Sequence, residues 1–275
     1  MPVAIVGGAG KMGLWLARAL VAENQQVVLI DRDEARLKEA ASRLEVETTS
    51  DLRAICGADA FVLALPIDSF EEVVRELAPF TNAGQIALDI TSVKAMPVAV
   101  MHRYLKQCLV LGAHPVWGPG AEGVRGQNVV LTPTNPAEIA LAARLGQLLE
   151  WRGAVVSVMT PERHDRLMAA VLGLAHYIAI VAGDTLLSLD NLDELTRVSG
   201  PSFRALLSFV TGVLHEDPAL YAAIQMKLPA LPALEKAFTD KAVQWAETVK
   251  NRDTSAFVER MSALRSLLEE QQKKK

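Results

Sequence analysis

Cysteine is nearly missing from this chain: two in 275 residues, Cys56 and Cys108. They lie far apart and in no CxxC or zinc-ligand spacing. That excludes a disulfide framework and a thiolate metal centre, and fits reduced thiols in a cytoplasmic protein. Positive charge is not in excess either. Twenty-eight Lys and Arg against 32 Asp and Glu give a formal net charge of -4, which leaves no basic field for nucleic acid. The Lys273-Lys274-Lys275 end follows Glu269-Glu270 and reads as solvated. The start has no basic segment ahead of an apolar core and no small-residue cleavage site, so no secretory signal is expected. Two residues precede the first strand pattern and helical sequence follows residue 221. No further domain is therefore expected in front or behind. The most apolar stretch, 167–183, is short for a bilayer span and carries His176 and Tyr177. It is expected as a buried core or dimer-interface helix, with no membrane partner.

What is present is alternation. Apolar runs at 3–6, 27–30, 60–65, 85–90, 108–112, 128–132 and 154–158 are separated, in the first half, by helical patterns at 11–23, 34–44 and 68–77. Runs without polar alternation suit strands buried on both faces, as in a parallel sheet covered by helices. The pattern predicts a Rossmann-like doubly wound α/β domain over 1–158. From Thr160 onward the strands stop. Thr160-Pro161-Glu162 has the cap, proline and acid of a helix start. Helices are predicted from there, over 194–198, 202–214, 220–227 and 231–250 and from about Thr254, punctuated by Pro201, Pro218, Pro229 and Pro232. An all-α domain over 159–275 is the result.

The first strand runs into Gly7-Gly8-Ala9-Gly10-Lys11-Met12-Gly13. Gly8, Gly10 and Gly13 fit GxGxxG, with Gly7 as one extra glycine in front. Such a loop makes a tight turn, lets backbone approach a pyrophosphate and lets helix pack on strand. Lys11 and Met12 open the helix, whose N-terminus offers amide donors and a positive dipole end. Asp31 ends the second strand, where a carboxylate accepts ribose hydroxyls and repels a 2′-phosphate. This predicts NAD in preference to NADP. Arg32, beside it, is the residue that could pair a 2′-phosphate.

Two segments at strand ends carry the chemistry: Asp89-Ile90-Thr91-Ser92-Val93-Lys94 and Gly112-Ala113-His114-Pro115-Val116-Trp117-Gly118-Pro119. Open α/β sheets bind ligands at such ends. His114 is one of five histidines and sits in a proline- and glycine-stiffened loop. An imidazole there can take a hydroxyl proton while hydride leaves the same carbon. Ser92 could hydrogen-bond it and set its tautomer. No metal-ligand cluster is read.

With GGAGKMG, DITSVK, LGAHPVWGP, TPERHDRLMA and SGPSFRALLSFVTGVLHEDPALY in order from residue 7 to 221, the chain resembles the prephenate and arogenate dehydrogenases. The resemblance implies a Rossmann-like domain followed by a helical dimerisation domain, and oxidative decarboxylation of prephenate with NAD on the way to tyrosine. It implies a homodimer. It makes His114 the acceptor for the substrate's ring hydroxyl, with Ser92 supporting it and Lys94 shaping the site. His164 would lie close to substrate, and Arg204 would hold a substrate carboxylate. Trp117 stands where the family commonly has phenylalanine. Arogenate or 4-amino-4-deoxyprephenate remains open as substrate. A β-hydroxyacid dehydrogenase or imine reductase would lack the histidine-proline loop. A non-catalytic dinucleotide-binding dimer would not need His114, Ser92 and Arg204 together.

Overall fold

Strand β1 (Val3–Val6) is buried along its whole length, and its residues alternate between two cores. Ala4 and Val6 join Phe61, Leu63, Phe70 and Met101 in one. Ile5 joins Ala17, Leu29 and Leu37 in the other. This two-sided burial is why the strand runs carry no polar alternation. The computed structural model describes residues 2–189 and 191–273. It continues through α1 (Lys11–Ala22), β2 (Val27–Ile30), α2 (Glu34–Leu44), β3 (Glu47–Thr49), β4 (Ala60–Leu63), α3 (Phe70–Leu77) and β5 (Ile86–Asp89). Then come α4 (Ala95–Tyr104), β6 (Leu109–Pro115), β7 (Asn128–Thr132), α5 (Pro136–Trp151) and β8 (Val155–Val158). The eight strands form one sheet in the order β3-β2-β1-β4-β5-β6-β7-β8. The first six are parallel. β7 runs antiparallel to β6, and β8 is parallel to β7. Chain order reverses between β1 and β4, which opens a crevice at the strands' carboxyl ends.

The helical part comprises α6 (Pro161–Met168), a π-helical turn (Ala169–Leu174), α7 (Ala175–Leu187), α8 (Leu192–Arg197), α9 (Pro201–Leu214) and α10 (Pro218–Lys227). As read from the sequence, Thr160 caps α6, its side chain accepting from Arg163 N at 3.3 Å. Pro161–Leu187 is by length and composition apolar enough to cross a membrane, and 28% of its most apolar 18-residue window is buried. Its second half packs along α9. Gly183 permits the close approach, since a Cβ there would lie 2.9 Å from Leu214 Cδ1.

By contact density the chain forms two units, 1–229 and 230–275. The change from sheet to helices at 158 is therefore not a break in packing: α6–α10 belong to the same unit as the sheet. The second unit pairs α11 (Leu231–Lys250) with α12 (Thr254–Gln272). Within it Arg260 lies 4.2 Å over the ring of Trp245, which meets Phe257 edge-on.

Four elements differ from the sequence reading, the first being α5, a 16-residue helix capped by Asn135 that it did not name. β3 is short and only half-buried, so it carries no apolar run. α4 has no side-chain cap of its own and contains Pro97. And β6 extends to Pro115, which puts His114 inside a strand, opposite Val130, rather than in the loop beyond it.

Candidate active site

A cavity of about 1330 Å³ runs along the carboxyl ends of the parallel strands. Gly7, Gly10, Lys11, Met12, Asp31 and Arg32 line it, and so do Ser92, His114, Trp117, His176 and Tyr221. β1 and β6 are separated by β4 and β5, so the glycine loop and His114 stand about 14 Å apart at ~4.8 Å per strand step. That is a span for an extended ligand.

At the loop the extra glycine has a task. Gly7 adopts φ +80, and a Cβ on it would lie 2.3 Å from the Ala64 carbonyl oxygen. It is the tight turn. Gly13 lets α1 settle on the loop, with a Cβ there only 2.5 Å from Gly7 O. No side chain caps α1, so its first-turn amides at Lys11 and Met12 keep their donors for a ligand at a positive helix end. Asp31 is tied into the frame: Oδ2 accepts from Ala9 N at 3.1 Å and Oδ1 from Asp33 N at 3.1 Å. A cradle of bare glycine backbone, unpartnered helix amides and a carboxylate at the β2 end fits a dinucleotide.

At the other end His114 is 4% exposed. Its Nδ1 lies 2.8 Å from His164 Nε2, and His164 Nδ1 lies 2.7 Å from Asp165 Oδ1. Among the described residues none bonds the remaining nitrogen of His114, Nε2, and His114 lines the cavity. Burial, then the neighbouring His164 and Lys94, hold the His114 imidazole well below its usual range. It is a neutral base at pH 7. Lys94 Nζ contacts Asp89 Oδ2 and donates to Ala113 O at 2.8 Å, both side chains fully buried. Burial pushes the Lys94 ammonium down and the Asp89 carboxyl up, and their mutual attraction opposes both shifts.

Ser92 lines the cavity, but the imidazole bonds His164 rather than Ser92. His164 is fully buried and reaches the cavity only through His114. Expected close to substrate, it stands one hydrogen bond behind the cavity wall. Arg204 is exposed on α9, and its guanidinium donates to Ser199 O at 2.9 Å. It is not part of the cavity wall. His176 is the residue missed from sequence. It lines the cavity with its ring 4.3 Å from that of Tyr221. Burial lowers its pKa to about 4, and its buried Nδ1 has no hydrogen-bond partner. A lone histidine in the run 167–183 was the available signal. Among the described residues no three His, Cys, Asp or Glu side chains gather as a metal site.

A family profile described as prephenate dehydrogenase, nucleotide-binding domain, matches residues 16–158, and the corresponding dimerization domain matches 160–263. The chain belongs to the prephenate dehydrogenase family. A probable arogenate/prephenate dehydrogenase of Methanocaldococcus jannaschii is 32% identical over 95% of this chain and 59% of its own length. A 4-amino-4-deoxyprephenate dehydrogenase of Streptomyces pristinaespiralis is 27% identical over 97% of this chain and 90% of its own. The chain spans 59% of the first of these relatives, and 65% of the T-protein of Enterobacter agglomerans. In fold, it matches the Aquifex aeolicus prephenate dehydrogenase solved with hydroxyphenyl propionate and NAD+, at TM-score 0.78, 23% identity and 96% coverage of both chains. Synechocystis arogenate dehydrogenase matches at TM-score 0.70, 22% identity, and 92% and 94% coverage. At these identities the structural likeness concerns the fold. Within the prephenate dehydrogenase family, relatives thus carry names for different cyclohexadiene substrates.

Proposed function

We propose that this protein oxidises and decarboxylates prephenate to 4-hydroxyphenylpyruvate, with NAD as cofactor, in the cytoplasm. The observation that carries the reading is a buried, neutral His114 whose Nε2 is unpartnered at the wall of a cavity shared with a dinucleotide loop. Nicotinamide dinucleotide, when bound, supplies the hydride acceptor. His114 takes the proton of the substrate's 4-hydroxyl, so that a ketone forms as C4 is oxidised. That ketone is conjugated to the carbon bearing the ring carboxylate, and loss of carbon dioxide yields an aromatic ring. Trp117 meets Trp15 edge-on, with ring centroids 5.3 Å apart, and Trp15 Nε1 donates to Ala121 O at 2.7 Å. The pair fixes the loop after β6 over the site. Turnover of prephenate, arogenate and 4-amino-4-deoxyprephenate with NAD, followed by absorbance of the reduced cofactor, tests the reading. Prephenate is expected to show the highest kcat/KM. Turnover confined to an amino analogue would overturn the substrate, and none with any of the three would overturn the activity.

Asp31 supports NAD over NADP. Asp31→Ala should lower kcat/KM with NAD and raise use of NADP relative to it. A wild-type kcat/KM already higher with NADP would make Arg32 the guide instead.

We also propose a homodimer formed through the region after residue 160. Leu167, Val171, Leu187, Val198 and Phe209 are exposed apolar residues of α6–α9, and a second copy is the economical cover for such a face. Arg204 is exposed on α9 within that helical region, and we place its carboxylate-holding role in the dimer. Sedimentation at micromolar concentration should report a dimer. Arg204→Ala should raise KM for the substrate roughly ten- to a hundred-fold with little change in kcat, the loss of about 1.5–3 kcal/mol from a charged hydrogen bond. A monomer, or an unchanged KM, would refute the corresponding half.

A further inference from the structure

The histidine that the sequence places near substrate touches instead the back of the base, and an acid stands behind it. Asp165 Oδ1 accepts from Lys94 N at 2.7 Å and Oδ2 from Ala95 N at 2.9 Å. These are the first amides of α4, the helix without a cap of its own. Asp165 is therefore anchored to a helix N-terminus 70 residues away in sequence. Oδ1 also faces His164 Nδ1 at 2.7 Å. A carboxylate oxygen only accepts, so His164 Nδ1 must carry the hydrogen. The neutral ring then presents a bare Nε2 to His114, and His114 Nδ1 must be the donor in the 2.8 Å contact. That leaves His114 Nε2 as a lone pair, the nitrogen with no partner among the described residues.

We infer that Asp165 and His164 are positioning residues that fix the tautomer of His114 and draw off the proton it receives. The inference rests on the proposed reaction. As the C4–H electron pair leaves for the nicotinamide acceptor, the 4-hydroxyl proton moves to His114 Nε2, and the His114 Nδ1 proton moves to His164 Nε2. The positive charge then lies on His164, in contact with the Asp165 carboxylate. Burial and Lys94 oppose a positive charge on both rings, but on His164 the Asp165 carboxylate favours it, and His114 has no such partner. Every proton is conserved, and one positive charge moves from the substrate side to a buried ion pair. Loss of carbon dioxide leaves a phenolate; the His114 Nε2 proton returns to its oxygen and the His164 Nε2 proton returns to His114 Nδ1, which resets the chain.

Asp165→Asn keeps the size and one acceptor for the α4 amides but can turn an amide N–H toward His164. His164 would then hold its hydrogen on Nε2 and force the His114 hydrogen onto Nε2, the wrong nitrogen for a base. A histidine base in the wrong tautomer loses about four orders of magnitude of turnover. The expected result is kcat lower by roughly 10²–10⁴-fold with KM for substrate and cofactor changed by less than about threefold. Nitrogen-15 shifts of labelled enzyme give an independent readout: the His114 ring should be Nδ1–H in wild type and Nε2–H in Asp165→Asn. His164→Phe leaves Asp165 on the α4 amides and serves if the Asn variant does not fold. It should show a mixed His114 tautomer with a similar fall in kcat. An Nε2–H His114 in the wild type, or an unchanged kcat with an unchanged tautomer in whichever variant folds, would overturn the inference. The tautomer is read without turnover. A wild type inactive on every substrate tried but with Nδ1–H His114 would therefore sink the proposed reaction and the proton transfer, and leave the tautomer assignment standing.

Discussion

His114→Asn should cut kcat by roughly 10²–10⁴-fold, the usual contribution of a positioned acid-base group. KM should change little, because proton acceptance accompanies C4 oxidation and not binding. The acid limb of the pH profile should also go. In the wild type that limb lies well below pH 6.5, since the buried His114 is protonated only there. As pH falls through that value the base is lost and the rate drops with it; above it the base is free. Near-normal kcat with the limb intact in His114→Asn would assign the base elsewhere. His176, whose pKa is about 4 and which shares the cavity, would be the first group to examine.

Lys94→Met should be the most damaging change to the fold. It leaves the Asp89 carboxylate fully buried, held among the described residues by Thr91, whose N donates to it at 2.7 Å. Breaking such a pair from one side costs about 3–5 kcal/mol. For a unit of this size that lowers Tm by roughly 6–20 °C. Adding Asp89→Asn removes the stranded charge and should restore more than half of the loss. If the single variant melts with the wild type, the carboxyl is protonated in the fold and the pair is not an ion pair. The Ala113 carbonyl loses its donor in either case, so activity should stay low in the double variant even where Tm recovers. That separates the pair's structural work from its hold on the strand that carries His114.

Much of this was legible because it is local. The parallel strands are continuous apolar runs, and β7 falls on the residues the pattern gave, Asn128–Thr132. The glycine loop and Asp31 follow from spacing alone. What was not legible depends on distant contacts or weak patterns. β3 exposes Glu47 and carries two threonines, so it had no hydrophobic signature. α4 went unread, and its cap, Asp165, is supplied from α6. Ser92 was nearest to His114 as a polar neighbour by motif, whereas the actual partner arrives from 50 residues downstream. His164 was rightly noticed, but its place behind the base depends on how α6 packs. Arg204 was read from a motif that says nothing of which surface of the single chain it occupies.

The π-helical turn at Ala169–Leu174 sets the rotational phase of everything after it. His164 and His176 are twelve residues apart. In an unbroken α-helix at 100° per residue they would point about 120° apart. Six residues wound at about 4.4 per turn bring them to within roughly 10–20° of one azimuth. One residue fewer in 169–174 would let the segment relax to a plain α-helix with almost no turn of α7, since eleven residues at 100° leave the two histidines roughly 20° apart. His176 would keep its place on the cavity wall, and Gly183 its place against the side chain of Leu214. A second residue lost would turn α7 by roughly 100°, so this segment absorbs the loss of one residue and not of two.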